Sequence, residues 1–403
     1  MPATRPTAAR IQSLDLVRGI AVLGILAVNI AGFAGPSAGT DTPWLPHPAS
    51  VAGETAFALT FLLFEGKMRA LFSMLFGASM LLFVERAEAA RRDGEMLQLR
   101  RLGWLALFGY LHYVLFWWGD ILFVYAVGGL FALPLRRFPD RVLLALALVI
   151  FVGWHGWGII DSVGEMLGLV SPVAQHQAMA ATLSHMQVET AQAHLGFGAQ
   201  IADKLATAPG WPVVMTLYTI GETLPLMLLG MVLLRSGFFS GEWSRHRLVM
   251  MASVGLISGT AWTLALLDWV WSRHFPATVM PDILAYWTAP GHLAMALGYA
   301  ATLMLAAPRL AETWLGRRLS AAGRAAFSNY LGTTMVMTAL FYGWGLGLYG
   351  HVTPALQPLF VLGGWGLMLA WSAPWLARFR QGPLEWAWRS LTEWQLMPWR
   401  IAV

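Results

Sequence analysis

RRLGWLALFGYLHYVLFWWGDILFVYAVGG, residues 100–129, is the stretch that decides how this chain folds. Two arginines open it, an apolar run of about one membrane thickness follows, and a second apolar run begins after the turn at residues 117–120. His112 lies in the middle of the first run and Asp120 lies at the turn. Because ionisable side chains are costly to bury in a membrane, the pattern predicts a membrane hairpin with a functional role for both residues.

The composition of the whole chain is that of a polytopic membrane protein. The 403 residues are 57% hydrophobic and 12% charged, with a mean hydropathy of +0.59, whereas soluble domains carry about 25% charged residues. The absence of cysteine excludes disulfides, thiolate metal sites, iron–sulfur clusters and cysteine nucleophiles. The net charge of +5 comes from arginines scattered among short loops, so no nucleic-acid partner is expected.

Apolar runs of suitable length predict about ten transmembrane helices. They lie near residues 14–34, 53–84, 102–118, 120–135, 142–160, 211–234, 248–271, 284–306, 323–343 and 354–376. With the N-terminus in the cytoplasm, all but four of the 26 lysines and arginines fall on cytoplasmic segments or span edges. This asymmetry satisfies the positive-inside rule and predicts an all-α polytopic protein with both termini cytoplasmic.

The sequence is expected to form a single integral membrane domain over residues 1–403. Its parts are a basic tail at 1–10, helices with the polar motifs at 14–160, an outer amphipathic segment at 161–210, further helices at 211–376 and an inner interfacial tail at 377–403. His176, His185 and His194 recur every nine residues in the outer segment, which places successive rings on opposite helix faces. No metal site is therefore predicted.

The predicted span at 53–84 is too long for one straight helix. Its middle reads FEGKMRALFSMLFG, residues 64–77, where the spacing of Glu65 and Arg69 predicts a helical ion pair and Lys67 points elsewhere. Gly66 and Gly77 allow a broken helix that lines a cavity. A span followed by an interfacial helix at 70–84 fits the sequence equally well.

Several other polar residues lie within apolar runs. Asp15 and Arg18 are spaced to pair on one helix face, and Asn29 lies deeper, where it needs a hydrogen-bond partner inside the bundle. Glu222 and His292 lie at a depth similar to that of His112. The candidate catalytic residues are His112, Asp120 and Glu222. The candidate substrate-binding residues are Asp15, Arg18, Asn29, Glu65, Lys67, Arg69, Arg100, Arg101, His292, Ser328 and Asn329.

Six segments together resemble the YeiB-like bacterial membrane family, whose C-terminal part is known as domain of unknown function 418. They are LDLVRGIAVLGILAVNI (14–30), EGKMRALFSMLFG (65–77), the hairpin ending in GDILFVYAVGGL (119–130), GRAAFSNYL (323–331), FYGWGLGLYG (341–350) and GPLEWAWRSLTEW (382–394). The resemblance covers most of the chain except about 140–210. It implies a multi-pass protein of the bacterial inner (cytoplasmic) membrane.

The first-span pattern Leu-Asp-x-x-Arg-Gly is also similar to that of the transmembrane acyltransferases, which move acyl groups from cytoplasmic donors to acceptors across the membrane. Many of those enzymes have a catalytic histidine late in the first span, where this chain has Asn29. Other branches have asparagine there and a histidine elsewhere. The similarity therefore implies an acyltransferase-like protein and leaves the position of the catalytic base open.

Acyl transfer needs a base that activates a hydroxyl or amine acceptor. His112 is the expected base, oriented by Asp120 or Glu222. Acyl-CoA is the expected donor substrate, with no bound cofactor. Its phosphates would meet a group of basic residues on the cytoplasmic side, namely Arg18, Lys67, Arg69, Arg100 and Arg101.

Two other functions also fit the sequence. One is proton-coupled transport of a small or lipid-like molecule through a polar cavity, and the other is a membrane scaffold. A core histidine bonded to a neighbouring carbonyl is the alternative for His112. The expected partners are membrane lipids and a small-molecule or lipid-linked substrate, and a homodimer is left open.

Overall fold

The structure, a computed structural model, describes residues 12–401, so the predicted basic tail at 1–10 lies outside the described residues. Within that range the regular structure is helical, apart from one isolated β-bridge between Phe379 and Arg400. The all-α polytopic membrane fold predicted from the sequence is confirmed.

Seventeen α-helices and one short π-helix follow one another within the described residues. They are α1 (Gln12–Ala34), α2 (Ala38–Asp41), α3 (Val51–Leu63), α4 (Lys67–Ala89), α5 (Gly94–Leu115), α6 (Leu122–Leu135), α7 (Asp140–Met166), α8 (Pro172–Ala193), α9 (Phe197–Thr207), α10 (Trp211–Arg235), α11 (Arg245–Trp271), α12 (Met280–Asp282), the π-helix (Ile283–Trp287), α13 (Ala289–Leu310), α14 (Trp314–Arg324), α15 (Ala326–Phe341), α16 (Gln357–Arg378) and α17 (Pro383–Glu393).

Seven helical segments between residues 12 and 401 are long and apolar enough to cross a membrane, with α3 and α4 counted as one. The others are α1, α7, α10, α11, α13 and α16. Helices α5, α6 and α15 coincide with predicted spans, but α6 has 14 residues, α15 has 16, and α5 begins among charged residues. The count of ten spans and the cytoplasmic placement of both termini stay predictions.

The overlong segment at 53–84 is a broken helix. Helix α3 ends at Leu63 and α4 begins at Lys67, with Gly66 between them at φ +67°, a conformation that favours glycine. Helix α4 is buried along most of its length, so it is not an interfacial helix. A break at membrane depth is tolerated where protein satisfies the freed backbone groups.

Glycines set the closest helix contacts. A Cβ atom on Gly77 of α4 would lie 2.0 Å from a backbone carbonyl oxygen of α10, and one on Gly230 of α10 would lie 1.9 Å from a backbone carbonyl oxygen of α4. Gly19 of α1 and Gly323 of α14 touch each other's helix in the same way. Small residues thus let these helices pack backbone to backbone, as is common in membrane bundles.

The α5–α6 hairpin is closed at its basic end and capped at its tip. Glu95, near the start of α5, receives hydrogen bonds from Arg136 and Arg137, just after the end of α6, at 2.8 and 2.7 Å. At the tip, Lys204 of α9 donates to the carbonyls of Tyr113 and Phe116 at 3.0 and 3.1 Å. A cation suits the C-terminal end of a helix, so the segment after residue 161 holds this tip in place.

Candidate functional site

A cavity of about 620 Å³ lies between α4, α5, α6, α15 and α17. Its wall is strongly basic, because seven arginines from five helices and two loops line it. They are Arg18, Arg86, Arg92, Arg101, Arg324, Arg380 and Arg389. The name arginine cavity is used for it below.

Two carboxylates lie in the described part of this lining, and both already have partners. Glu393 is ion-paired with Arg92, and this hydrogen bond lowers the pKa of Glu393. Glu385 accepts the backbone N–H groups of Phe327 and Ser328 at 2.7 and 3.1 Å, and the Ser328 hydroxyl as well. The cavity therefore keeps an excess of positive charge that favours an anionic ligand.

Glu385 lies on α17, within the predicted inner interfacial tail. It caps the start of α15 through the backbone of Phe327 and Ser328. Ser328 is thereby occupied in holding α17 against α15. Both residues form part of the cavity's frame.

Arg101 is held rigidly in the wall of the arginine cavity. Its guanidinium lies over the rings of Phe83 and Trp388, at 4.1 and 4.4 Å from the ring centroids. The Trp388 indole N–H donates to the Arg101 carbonyl at 2.8 Å. A stacked guanidinium loses little freedom when it binds a phosphate, so Arg101 is well prepared for one.

The deep end of the arginine cavity is aromatic. The ring of Tyr125 is stacked against Phe72 and Phe76, with centroids 5.7 and 5.4 Å apart, and Tyr330 completes this end. The cavity thus joins a charged mouth to an apolar floor. Such a shape suits a ligand with an anionic head and an apolar or neutral end.

His112 and Asp120 form a buried pair beside this floor. His112 Nδ1 lies 2.8 Å from Asp120 Oδ1, and the two residues are 1% and 6% exposed. The His112 and Tyr330 ring centroids are 5.2 Å apart, and the Tyr330 hydroxyl donates to the Gly119 carbonyl at 3.2 Å. The pair therefore lies directly behind the aromatic end of the cavity.

The hydrogen bonds around Asp120 determine the proton position on His112. The other Asp120 oxygen accepts the backbone N–H of Phe123 at 2.8 Å, which also secures the first turn of α6. With Asp120 ionised, and therefore only an acceptor, His112 Nδ1 donates the hydrogen bond to Asp120 Oδ1, and a neutral imidazole then has its lone pair on Nε2. Nε2 has no partner among the described residues. The arrangement is that of an oriented histidine–aspartate pair whose second imidazole nitrogen is buried behind the cavity lining and makes no hydrogen bond within the described residues.

Glu222 does not join this pair. It is bonded to Arg69 at 2.8 Å, across the contact between α4 and α10. The predicted Glu65–Arg69 ion pair is therefore wrong, because Arg69 turns to another helix for its partner. Of the two partners predicted for His112, Asp120 and Glu222, the structure shows Asp120 in contact with it.

Lys67 is fully buried at the helix break. Its ammonium donates to the Phe61 carbonyl at 2.6 Å, and so satisfies an acceptor at the end of α3. Gly66 next to it packs directly against His292, since a Cβ atom there would lie 1.7 Å from the ring. The break is thus built around buried charged and polar groups.

Two histidines beside the Arg69–Glu222 pair have an unpartnered nitrogen. The Nε2 atoms of His155 and His292 are buried and make no hydrogen bond to any residue within 12–401. His155 Nδ1 is bonded to the Ala285 carbonyl at 3.2 Å. With Lys67, these residues form a polar cluster at the helix break, which His155 joins although it was not among the predicted site residues.

The other predicted polar residues are placed as follows. Asp15 and Arg18 do pair, at 3.3 Å, and Arg18 also donates to Ser79. Asn29 is half-buried and forms no side-chain hydrogen bond to the part of the chain that the structure describes, contrary to expectation. Arg100 lies outside the cavity lining, 6.0 Å from the Trp394 ring.

Asn329 has a structural role in the described part of the bundle. Its amide donates to the Ala322 carbonyl and to Ser372, and its oxygen accepts the Trp371 indole N–H at 2.7 Å. These bonds tie α14, α15 and α16 together. Ser328 and Asn329 are therefore occupied within the protein and do not project into an open site.

Sequence reasoning missed most of the arginine cavity. Five of its seven arginines are not among the predicted site residues and count in the sequence only toward the positive-inside asymmetry, namely Arg86, Arg92, Arg324, Arg380 and Arg389. The available signal was the number of arginines on inner segments that are far apart in the sequence. Their convergence depends on the docking of α17, which the sequence did not predict.

Comparisons with known proteins give consistent results along the whole chain. The family model described as protein of unknown function (DUF418) matches residues 233–395. The chain is 32% identical to the uncharacterized protein YeiB of Escherichia coli K12, over 94% of this chain and 95% of that protein. It is 30% identical to the uncharacterized protein YxaH of Bacillus subtilis, over 98% of both chains. No solved structure matches.

Proposed function

The chain belongs to the YeiB-like (DUF418) family of membrane proteins, and we propose that it is an acyltransferase that takes its acyl group from acyl-CoA. The observation that carries the proposal is the position of the His112–Asp120 pair directly behind the aromatic end of a cavity lined by seven arginines. A phosphate-rich donor fits the mouth of this cavity, and its thioester end fits the apolar floor.

The arginine cavity supports donor binding from the cytoplasm. Arginine recognises phosphates through several N–H donors in a fixed plane, and Arg101 is already oriented by two aromatic rings. The positive-inside count predicts that this basic end of the protein is cytoplasmic. Coenzyme A thioesters are made in the cytoplasm, so donor and cavity are on the same side.

In the proposed reaction, His112 Nε2 removes the proton from the hydroxyl or amine of the acceptor. The acceptor oxygen or nitrogen attacks the thioester carbonyl, the carbon–sulfur bond breaks, and the leaving thiolate takes the proton back from the imidazolium. Asp120 stabilises the imidazolium through Nδ1–H and keeps the ring oriented. The acyl group ends on the acceptor, and free coenzyme A returns to the cytoplasm.

Release of free coenzyme A tests the proposal. Purified protein in lipid nanodiscs is supplied with acetyl-CoA or a longer acyl-CoA, and crude periplasmic extract provides acceptors. We expect turnover in the wild type, loss of turnover in His112→Ala, and wild-type turnover in His176→Ala, an exposed histidine that serves as a matched control. Turnover that is independent of His112 would remove it as the base, and no turnover with any donor in folded protein would refute acyl transfer.

The buried polar cluster favours a second candidate function, proton-coupled transport. Arg69, Glu222 and the unpartnered nitrogens of His155 and His292 surround a broken helix, a combination found in carriers. A carrier moves its substrate and leaves the acyl thioester intact. Substrate-driven acidification of proteoliposomes without release of coenzyme A, lost in Glu222→Gln, would favour transport over acyl transfer.

A further inference from the structure

A second cavity, of about 260 Å³, lies between α1, α3 and α16. It shares no lining residue with the arginine cavity, and its wall is mostly apolar. Phe57, Phe61, Phe64 and Trp365 form much of that wall, and Glu65 is the one charged residue in the described lining. The name Glu65 pocket is used for it below.

Glu65 has no side-chain partner in the described part of the chain. The two nearby cations are occupied elsewhere, Lys67 by the Phe61 carbonyl and Arg69 by Glu222. A carboxyl group at membrane depth needs hydrogen-bond partners. The protein leaves one side of this group facing the Glu65 pocket.

The rim of the Glu65 pocket faces the bilayer. Leu59, Leu63 and Leu362 line the pocket and are 52%, 40% and 58% exposed on membrane helices. We expect large exposed apolar side chains on membrane helices to contact lipid chains. A ligand can therefore enter from the hydrocarbon region of the membrane.

We propose that the Glu65 pocket binds a membrane amphiphile whose terminal hydroxyl or amine donates a hydrogen bond to Glu65. Its apolar chain lies against the aromatic wall and leaves past the three leucines of the rim. A molecule without an O–H or N–H group at its end leaves the carboxylate unsatisfied and binds more weakly. The inference is independent of acyl transfer, because it uses the other cavity.

The experiment is photo-crosslinking of full-length protein in phosphatidylcholine nanodiscs. Three diazirine-bearing probes with the same chain are compared: hexadecanol, hexadecylamine and the methyl ether of hexadecanol. The ether keeps the shape of the alcohol but has no proton to donate. We expect the alcohol and the amine to label peptides containing Leu59 and Leu362 at least about tenfold more than the ether does, a difference of about 1.4 kcal/mol.

Variants of Glu65 test the hydrogen bond itself. Glu65→Leu should reduce labelling by the alcohol to the level of the ether, whereas Glu65→Gln keeps an acceptor oxygen and should retain the alcohol. Glu54→Gln is the matched control, because Glu54 lies on α3 with its carboxylate bonded to the indoles of Trp44 and Trp271 at 3.0 and 3.2 Å. It should label like the wild type.

Equal labelling by alcohol and ether, or undiminished labelling of Glu65→Leu, would overturn the inference. Ala56→Phe narrows the pocket without changing the carboxylate, so it replaces Glu65→Leu where that variant does not fold. It should reduce labelling, and unchanged labelling would equally contradict the proposed site. Intact labelling in a protein that releases no coenzyme A would refute only the acyl-transfer proposal.

Discussion

Replacing Asp120 by asparagine tests whether His112 is the base, because the exchange changes which nitrogen of His112 carries the proton. The Phe123 N–H donates to one Asp120 oxygen, so the single oxygen of an asparagine must take that position. The amide NH2 then faces His112 Nδ1, which has to accept a hydrogen bond and lose its proton. The imidazole is forced into the Nε2–H form, which cannot act as a base at Nε2.

The expected loss of rate is about 10⁴-fold, by comparison with the same exchange in a serine protease triad. This corresponds to an increase of about 5.5 kcal/mol in the activation free energy. The fold should change little, because asparagine has nearly the same volume and both hydrogen bonds can be remade with reversed roles at His112. A structural role alone would predict loss of stability together with loss of rate.

Two measurements on Asp120→Asn separate these cases. Single-turnover release of coenzyme A reports the rate, and ¹⁵N chemical shifts of the labelled histidine report which nitrogen carries the proton. We expect Nδ1–H in the wild type and Nε2–H in the variant, with melting temperatures within a few degrees. A variant that releases coenzyme A within tenfold of the wild-type rate, or that keeps Nδ1–H, would refute the reasoning.

Three further predictions follow from other contacts. Arg101→Gln should raise the KM for acyl-CoA by about tenfold with little change in kcat, since the stacked guanidinium that would bind a donor phosphate is lost. The control Arg273→Gln, on the predicted outer side, should leave both constants unchanged. An unchanged KM in Arg101→Gln would contradict donor binding in the arginine cavity. Arg69→Ala should lower the free energy of unfolding by about 3 kcal/mol in chemical denaturation, because Glu222 keeps an uncompensated buried charge. The double variant Arg69→Ala, Glu222→Leu should recover most of this stability. No recovery would assign the lost stability to packing instead. Burial raises the pKa of Asp41 to about 7, so the folded state holds a proton that the unfolded state releases near pH 3.8. The melting temperature should therefore fall as the pH rises from about 4 to about 7, and Asp41→Asn should abolish this fall. An equal dependence of the melting temperature on pH in the variant would place the titrating group elsewhere.

The membrane fold could be predicted well because its main signals are local. A run of apolar residues has the length of a span whatever surrounds it, and the excess of residues over one span at 53–84 predicted either a broken helix or a span followed by an interfacial helix. The break itself lies where a glycine takes a positive φ, at Gly66. Helix α5 begins at Gly94, eight residues before the predicted span at 102–118, since a helix can extend beyond the apolar run that crosses the membrane.

The sequence predicted one part of the site, the His112–Asp120 pair, because these two residues are close along the chain. His112 and Asp120 are eight residues apart across one hairpin turn, so they are close in most arrangements of that turn. Glu222 is 110 residues from His112, and its depth in the membrane says nothing about the direction it faces. Its depth alone suggested that Glu222 joins His112 and Asp120, but in the fold Glu222 pairs with Arg69.

Composition, apolar run lengths and the distribution of arginine by themselves determined that this chain is a helical membrane protein of many spans, because the cost of placing a residue in lipid depends mainly on that residue and its immediate neighbours. The partners of the buried charges were decided only by the tertiary structure. Gly77 and Gly230 bring α4 and α10 into backbone contact in the register that sets Arg69 opposite Glu222, and this leaves Glu65 to face a pocket. A buried charge must find its opposite within a few ångströms, and packing alone settles which helix supplies it.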